Sequence, residues 1–134
     1  MSKYECFAHA KTKLRYHIIF STKYRRKCLN YIHDDVINVM QLAEQKTKSF
    51  HIELMELDKD HIHFLVRINP DECISNVVHN LKQFSTYNLW KKHNQYLKQF
   101  YWSGKHHLWS RGYFCSTIGE VSESKIKEYI ENQG

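Results

Sequence analysis

The chain has 134 residues, a formal net charge of +6 and 42% hydrophobic residues, which suits one domain with a substantial core and an anionic partner. No apolar run approaches the ~20 residues that cross a bilayer, and the four cysteines form no CxxC pair. These features argue against a membrane protein and against a zinc module. We therefore expect a single cytoplasmic domain over residues 1–134 with reduced thiols.

The first half of the chain reads as strand, helix, strand, strand. Alternating apolar residues predict a strand over 13–21, and an apolar stripe at helical spacing predicts a helix from Asp34 to about residue 49. Strands are then expected over 51–58 and 61–68. Only a tight turn of two residues separates these two strands, so they should pair as a hairpin.

The second half begins with a long predicted helix over 74–93. A polar, aromatic connection over 94–108 leads to a short strand over 112–118, which Gly119 ends. Ser122 can cap a final helix that runs to the C-terminus. The order β-α-β-β-α-β predicts an α+β, ferredoxin-like (split β-α-β) antiparallel sheet with two helices on one face and the other face open to a ligand.

His61 and His63 are separated by one apolar residue at the start of a predicted strand. Since side chains alternate along a strand, both imidazoles should lie on the sheet face away from the helices. Neutral imidazole is a common metal ligand, and Asp60 could fix its tautomer. The alternative is a chance pair, because the chain contains ten histidines.

Tyr129 and Gln133 lie four residues apart and share one face of the predicted terminal helix. A phenol can attack a phosphodiester, and an amide oxygen can join two imidazoles around a divalent cation such as Mg²⁺ or Mn²⁺. The alternative is an ordinary amphipathic helix that packs through Ile126 and Ile130 and carries a surface tyrosine.

A basic segment follows the first predicted strand and contains four cations: Lys23, Arg25, Arg26 and Lys27. Such a segment can bind backbone phosphates, which gives affinity and register without base specificity. The alternative is a solvated loop.

Four blocks of sequence occur in a familiar order: YHIIFSTKYRRK over 16–27, DHIHFL over 60–65, LWSRGYFCSTIG over 108–119 and KEYIENQ over 127–133. Taken together, they resemble the single-tyrosine HUH transposases of the insertion sequence 200/605 group. These enzymes cut and rejoin single-stranded DNA at the ends of a mobile element, where they recognise DNA hairpins.

This resemblance implies a role for each motif residue. His61, His63 and Gln133 would be the protein ligands of a divalent metal ion, Mg²⁺ or Mn²⁺. Tyr129 would attack the scissile phosphate and form a 5′-phosphotyrosine intermediate.

The resemblance also implies a homodimer in which the two subunits share active sites. Residues 120–134 would then form a movable helix that carries the catalytic tyrosine, with its hinge at Gly119.

Two other functions are consistent with parts of the sequence. One is a domesticated relative that cuts chromosomal hairpins without mobilising its own gene. The other is a non-catalytic module that binds RNA or single-stranded DNA, since Arg111-Gly112-Tyr113 matches the opening of the aromatic motif of RNA-recognition modules. That motif is not continued after Tyr113, and such a module would leave the two histidines unexplained.

Overall fold

A computed structural model describes residues 14–118 and 130–131 of the chain. Its strands are β1 (Leu14–Ser21), β2 (Phe50–Leu57), β3 (His61–Ile68) and β4 (Phe114–Thr117). Its helices are α1 (His33–Thr47), α2 (Ile74–Lys92) and the short α3 (Asn94–Leu97), and a 3₁₀ turn covers Lys23–Arg25. The predicted order of strands and helices is confirmed in this part of the chain.

The four strands form one antiparallel sheet in the order β2-β3-β1-β4. β1 lies inside the sheet between β3 and β4, and its register places Ile19 opposite His63 and Ser21 opposite His61. Strands adjacent along the chain are joined by a hairpin only between β2 and β3. The arrangement is the predicted ferredoxin-like sheet.

The core lies between one face of this sheet and the helices α1 and α2. Along β3, Ile62, Phe64 and Val66 are buried, whereas the residues between them are only partly buried. The predicted stripe of α1 is also buried, and its members are Val36, Val39, Met40 and Ala43. Strand alternation therefore separates a packed face from a face that can bind a ligand.

The connection between α2 and β4 is partly helical and partly buried, which was not expected of the polar, aromatic connection over 94–108. It contains the short helix α3, and four of its residues join the core: Leu97, Tyr101, Leu108 and Trp109. An apolar residue at irregular spacing carries no periodic signal, so tertiary packing decides its position.

Lys82, on α2, is partly buried. Its Nζ donates hydrogen bonds to the backbone oxygens of Ser110 and Gly112, at 2.9 and 2.7 Å. Burial lowers the pKa of this ammonium group. β4 begins at Phe114, two residues later than predicted, because Gly112 adopts a φ of +77° that does not fit a strand.

Several predicted features lie outside the described residues: the hinge Gly119, the cap Ser122, and the site residues Tyr129 and Gln133. Ile130 and Glu131 are helical, in keeping with a terminal helix. Within residues 14–118 and 130–131, no helix is both long and apolar enough to span a bilayer.

Candidate functional site

His61 and His63 lie on the sheet face opposite α1 and α2, because they alternate with the buried Ile62 and Phe64. Their side chains retain 16% and 17% of their exposure, so both rings are sheltered but reachable. The structure therefore brings together the two imidazoles that the sequence singled out.

A carboxylate holds the Nδ1 atom of each imidazole. Asp60 Oδ1 lies 3.0 Å from His61 Nδ1, and Glu56 Oε1 lies 3.2 Å from His63 Nδ1. Since an ionised carboxylate only accepts hydrogen bonds, these contacts favour the tautomer of the neutral ring that carries its proton on Nδ1 and its lone pair on Nε2. This is the tautomer in which a histidine binds a metal through Nε2.

Asp60 is itself fixed by Arg25, whose Nε donates to Asp60 Oδ2 at 3.0 Å. Burial favours the neutral acid, but the hydrogen bonds from His61 and Arg25 outweigh it, and the pKa of Asp60 is lowered. The carboxylate therefore stays ionised beside His61. Arg25 Nη1 also donates to the backbone oxygen of Ile130 at 2.7 Å, which brings this helical residue to the end of the sheet at which β3 begins.

His17 is a third imidazole on the same face. Its Nδ1 lies 3.0 Å from His63 Nε2, and the two rings stack with centroids 5.2 Å apart. Burial, followed by the neighbouring His63 and Arg15, lowers the pKa of His17, so the ring is neutral at neutral pH. Given the lone pair on His63 Nε2, His17 Nδ1 is the donor.

Glu56 and His17 were not predicted as site residues from the sequence. Glu56 could have been found by counting back across the tight hairpin, where Asp58 binds the backbone of His61 and position 56 therefore faces His63. His17 could have been found only in part. The alternation of β1 puts it off the core face, but its distance from His63 depends on the pairing of β1 with β3.

The four predicted phosphate-binding cations do not form one patch. Arg25 points to Asp60, whereas the guanidinium of Arg26 lies over the ring of Trp102, 5.0 Å from its centroid. Lys23 is partly buried and Lys27 is exposed. Their part in DNA binding remains a prediction.

The donor set of the site suits a divalent cation only in part. The imidazoles of His61 and His63 are nitrogen donors oriented through Nδ1, which fits Mn²⁺ and, less well, Mg²⁺, and His63 would have to exchange its contact with His17 for the cation. Among the described residues there is no group of three or more His, Cys, Asp or Glu side chains that could hold a metal alone. Further ligands must come from elsewhere, and the predicted third ligand, Gln133, lies outside the described residues.

Comparison with known proteins identifies the family. A family model for IS200-like transposases matches residues 10–133. The chain is 31% identical to the ISDra2 transposase TnpA of Deinococcus radiodurans over 123 residues, covering 90% of this chain and 84% of the relative. It is 30% identical to the transposase of insertion sequence element IS200 from Salmonella typhimurium, covering 99% of this chain and 85% of the relative.

Solved structures agree with this result. A structure assigned as a transposase from D. radiodurans R1 superposes with a TM-score of 0.80 at 30% identity, covering 90% of this chain and 91% of the other. The REP-associated tyrosine transposase bound to a REP hairpin shares the fold, with a TM-score of 0.59 at 10% identity over 91% of this chain and 65% of the other. The matched sequence, the sheet order and the paired histidines lead to one conclusion: the chain belongs to the IS200-like transposase family.

Proposed function

We propose that this chain cleaves and rejoins single-stranded DNA at the ends of a mobile element, with Tyr129 as the nucleophile. One observation carries the proposal. A carboxylate holds the Nδ1 atom of each imidazole, and Arg25 ties Asp60 to Ile130, the residue that follows Tyr129 in the sequence. His63 Nε2 accepts a hydrogen bond from His17, and a bound cation would replace that contact. The helical residue Ile130 therefore lies beside the end of the sheet at which His61 begins β3.

His61, His63 and Gln133 would hold a divalent cation, Mg²⁺ or Mn²⁺. When bound, such a cation polarises the scissile phosphate and offsets charge in the transition state. The chain's own contribution is to present these ligands in the right tautomer. Asp60 and Glu56 supply that through their hydrogen bonds to Nδ1.

In the cleavage step, the phenol oxygen of Tyr129 forms a bond to the scissile phosphorus and loses its proton. The bond from phosphorus to the 3′-oxygen breaks, and that oxygen takes up a proton to become a free 3′-hydroxyl. The DNA 5′ end is left as a phosphotyrosine. A second 3′-hydroxyl then attacks this linkage, which restores the phenol and seals the strand without ATP.

The substrate we propose is single-stranded DNA with hairpin ends, and the active assembly is a cytoplasmic homodimer that shares its sites between subunits. The net charge of +6 favours a polyanion. The fold shared with the hairpin-bound REP-associated transposase supports the choice of hairpin DNA.

The decisive experiment replaces Tyr129 by Phe, which removes the attacking oxygen and little else. The wild type, incubated with hairpin-bearing single-stranded DNA and Mn²⁺, should form a protein–DNA adduct that survives SDS. Tyr129→Phe should form none, whereas the control Tyr87→Phe, at an exposed tyrosine on α2, should behave as wild type. An adduct that persists in Tyr129→Phe would refute the assignment of the nucleophile.

A further inference from the structure

Beside the candidate site lies a group of aromatic and cationic side chains that the cleavage chemistry does not use. Trp102 and Tyr24 are 71% and 60% exposed. The guanidinium of Arg26 lies over both rings, with its central carbon 5.0 Å from the centroid of Trp102 and 5.5 Å from that of Tyr24. We call these three residues the stacking platform.

The backbone presents Tyr24 in an unusual way. Tyr24 and Arg25 are consecutive non-glycine residues with φ of 62° and 54°, in the left-handed region that side chains disfavour. Thr22 holds this turn closed, because its hydroxyl donates to the backbone oxygen of Arg26 at 2.7 Å. Backbone strain of this kind concentrates at binding and catalytic sites.

Trp102 is fixed by its buried neighbour. Tyr101 is 3% exposed, and its hydroxyl donates to the backbone oxygen of Lys23 at 2.9 Å. The backbone nitrogen of Lys23 donates in turn to the oxygen of Leu108 at 2.8 Å. The two backbone segments that carry the platform are therefore held together before a ligand binds.

The platform residues come from two stretches of the sequence that contain no acidic residue. No Asp or Glu occurs over residues 6–33 or over 73–119. A groove of about 240 Å³ runs past Tyr24, Arg26 and Trp102, and a second of about 290 Å³ places Lys98 and Lys105 beside Trp102. Drug-sized ligands need roughly 300–1,000 Å³, so a groove of this size suits one smaller ring system with a phosphate on each side.

We propose that the stacking platform binds one unpaired base of the DNA strand that enters the active site, with the base stacked on Trp102. Bases stack well on aromatic rings and on guanidinium planes, and a positive surface follows the phosphates. Arg25, between two platform residues, contacts Asp60, so the stacked nucleotide lies next to the cleavage site. A second copy of this chain is a poorer occupant, since it would bring the same positive charge. The inference rests on the proposed function.

The test compares DNA with and without bases. Fluorescence anisotropy in EDTA, where no cleavage occurs, measures the affinity for a labelled thymidine oligomer and for an abasic backbone of equal length. The wild type should prefer the base-bearing strand about tenfold. Trp102→Ala should bind both strands equally, and Trp102→Phe should keep most of the preference. The matched control is Tyr87→Ala, which removes an exposed tyrosine with Lys91 6.0 Å from its ring centroid.

Loss of base preference in Trp102→Ala alone, with unchanged circular dichroism and unchanged oligomeric state, supports the platform. A full preference retained in Trp102→Ala, or a loss only of dimerisation in that variant, overturns it. The proposed function is judged separately by the Mn²⁺-dependent adduct. If that adduct fails to form while Trp102 still confers base preference, the cleavage chemistry is wrong and the platform stands.

Discussion

Two pairs of histidine and aspartate in this fold are similar in residue type and distance, but the aspartate binds a different ring nitrogen in each. Asp60 binds His61 through Nδ1, at 3.0 Å, on the open face of the sheet. Asp35 binds His93 through Nε2, at 2.6 Å, and Asp35 also accepts a hydrogen bond from Lys92 at 3.1 Å. The second pair ties the first turn of α1 to the end of α2.

The ring nitrogen that the carboxylate binds determines whether a histidine can also bind a ligand. In His61 the carboxylate takes Nδ1, so Nε2 keeps its lone pair beside a sheltered surface. In His93 the carboxylate uses Nε2, so that atom is not available to a ligand. Residue type and distance are similar, so the choice of ring nitrogen separates a candidate metal ligand from a structural tether.

The largest expected effect comes from replacing one histidine of each pair by alanine. His61→Ala should lower the rate of DNA cleavage by about a thousandfold or more, because a metal ligand is lost. His93→Ala should cleave at nearly the wild-type rate. A gel assay of single-strand cleavage in Mn²⁺ measures both. Equal loss in the two variants would mean that overall folding, and not ligation, explains the result.

The carboxylates give the next largest expected effect. Asp60→Asn should weaken Mn²⁺ binding about 10- to 100-fold, since the amide no longer fixes the Nδ1–H tautomer of His61. Asp35→Asn should leave Mn²⁺ affinity unchanged. Calorimetric titration with Mn²⁺ reads this without DNA or turnover. Unchanged affinity in Asp60→Asn would show that Asp60 does not position the ligand.

The tether should matter for stability. His93→Ala removes a hydrogen bond between two helices and should lower the free energy of unfolding by about 1 kcal/mol. Urea denaturation followed by circular dichroism measures the change, with His33→Ala as the control. His33 lies on α1, its side chain is half-exposed, and its Nδ1 lies 3.2 Å from the carboxylate of Asp34, which is almost fully exposed. If His93→Ala lowers the free energy of unfolding no more than His33→Ala does, the bond between Asp35 and His93 does not stabilise the fold.

The smallest expected effect is a pH dependence. The hydrogen bonds from His93 and then Lys92 lower the pKa of Asp35 below its ordinary value of 3.8. A lowered folded-state pKa stabilises the protein above the unfolded value, and this contribution is lost as pH falls through the folded-state pKa. The difference in unfolding free energy between wild type and Asp35→Asn should therefore be constant at neutral pH. It should disappear once the pH is below the folded-state pKa of Asp35. A difference that persists in acid would contradict the assignment.

Much of this fold could be predicted from local pattern. Strand β3 was predicted with its observed bounds of 61–68, because clean alternation between apolar and polar residues fixes both its faces. The stripe of α1 was correct for the same reason. Glu56 was within reach of the same reasoning, since the tight hairpin sets which residue faces His63.

Contacts between distant segments could not be predicted in this way. The Arg25–Asp60 ion pair joins residues 35 positions apart, and its geometry depends on a left-handed turn that no residue at 24 or 25 signals. The burial of Tyr101 depends equally on its bond to Lys23. Local sequence carries periodicity and turn length, whereas these contacts follow from packing of the whole sheet.

The alternation along β3 has an evolutionary consequence. Folding depends on Ile62, Phe64 and Val66, whereas the proposed chemistry depends on the intervening His61 and His63. A mutation that replaces either imidazole should leave a well-folded protein that still recognises its DNA. We therefore expect decayed copies of such a gene to encode competitors that occupy element ends without cutting them, and so to restrain their active siblings in the same genome.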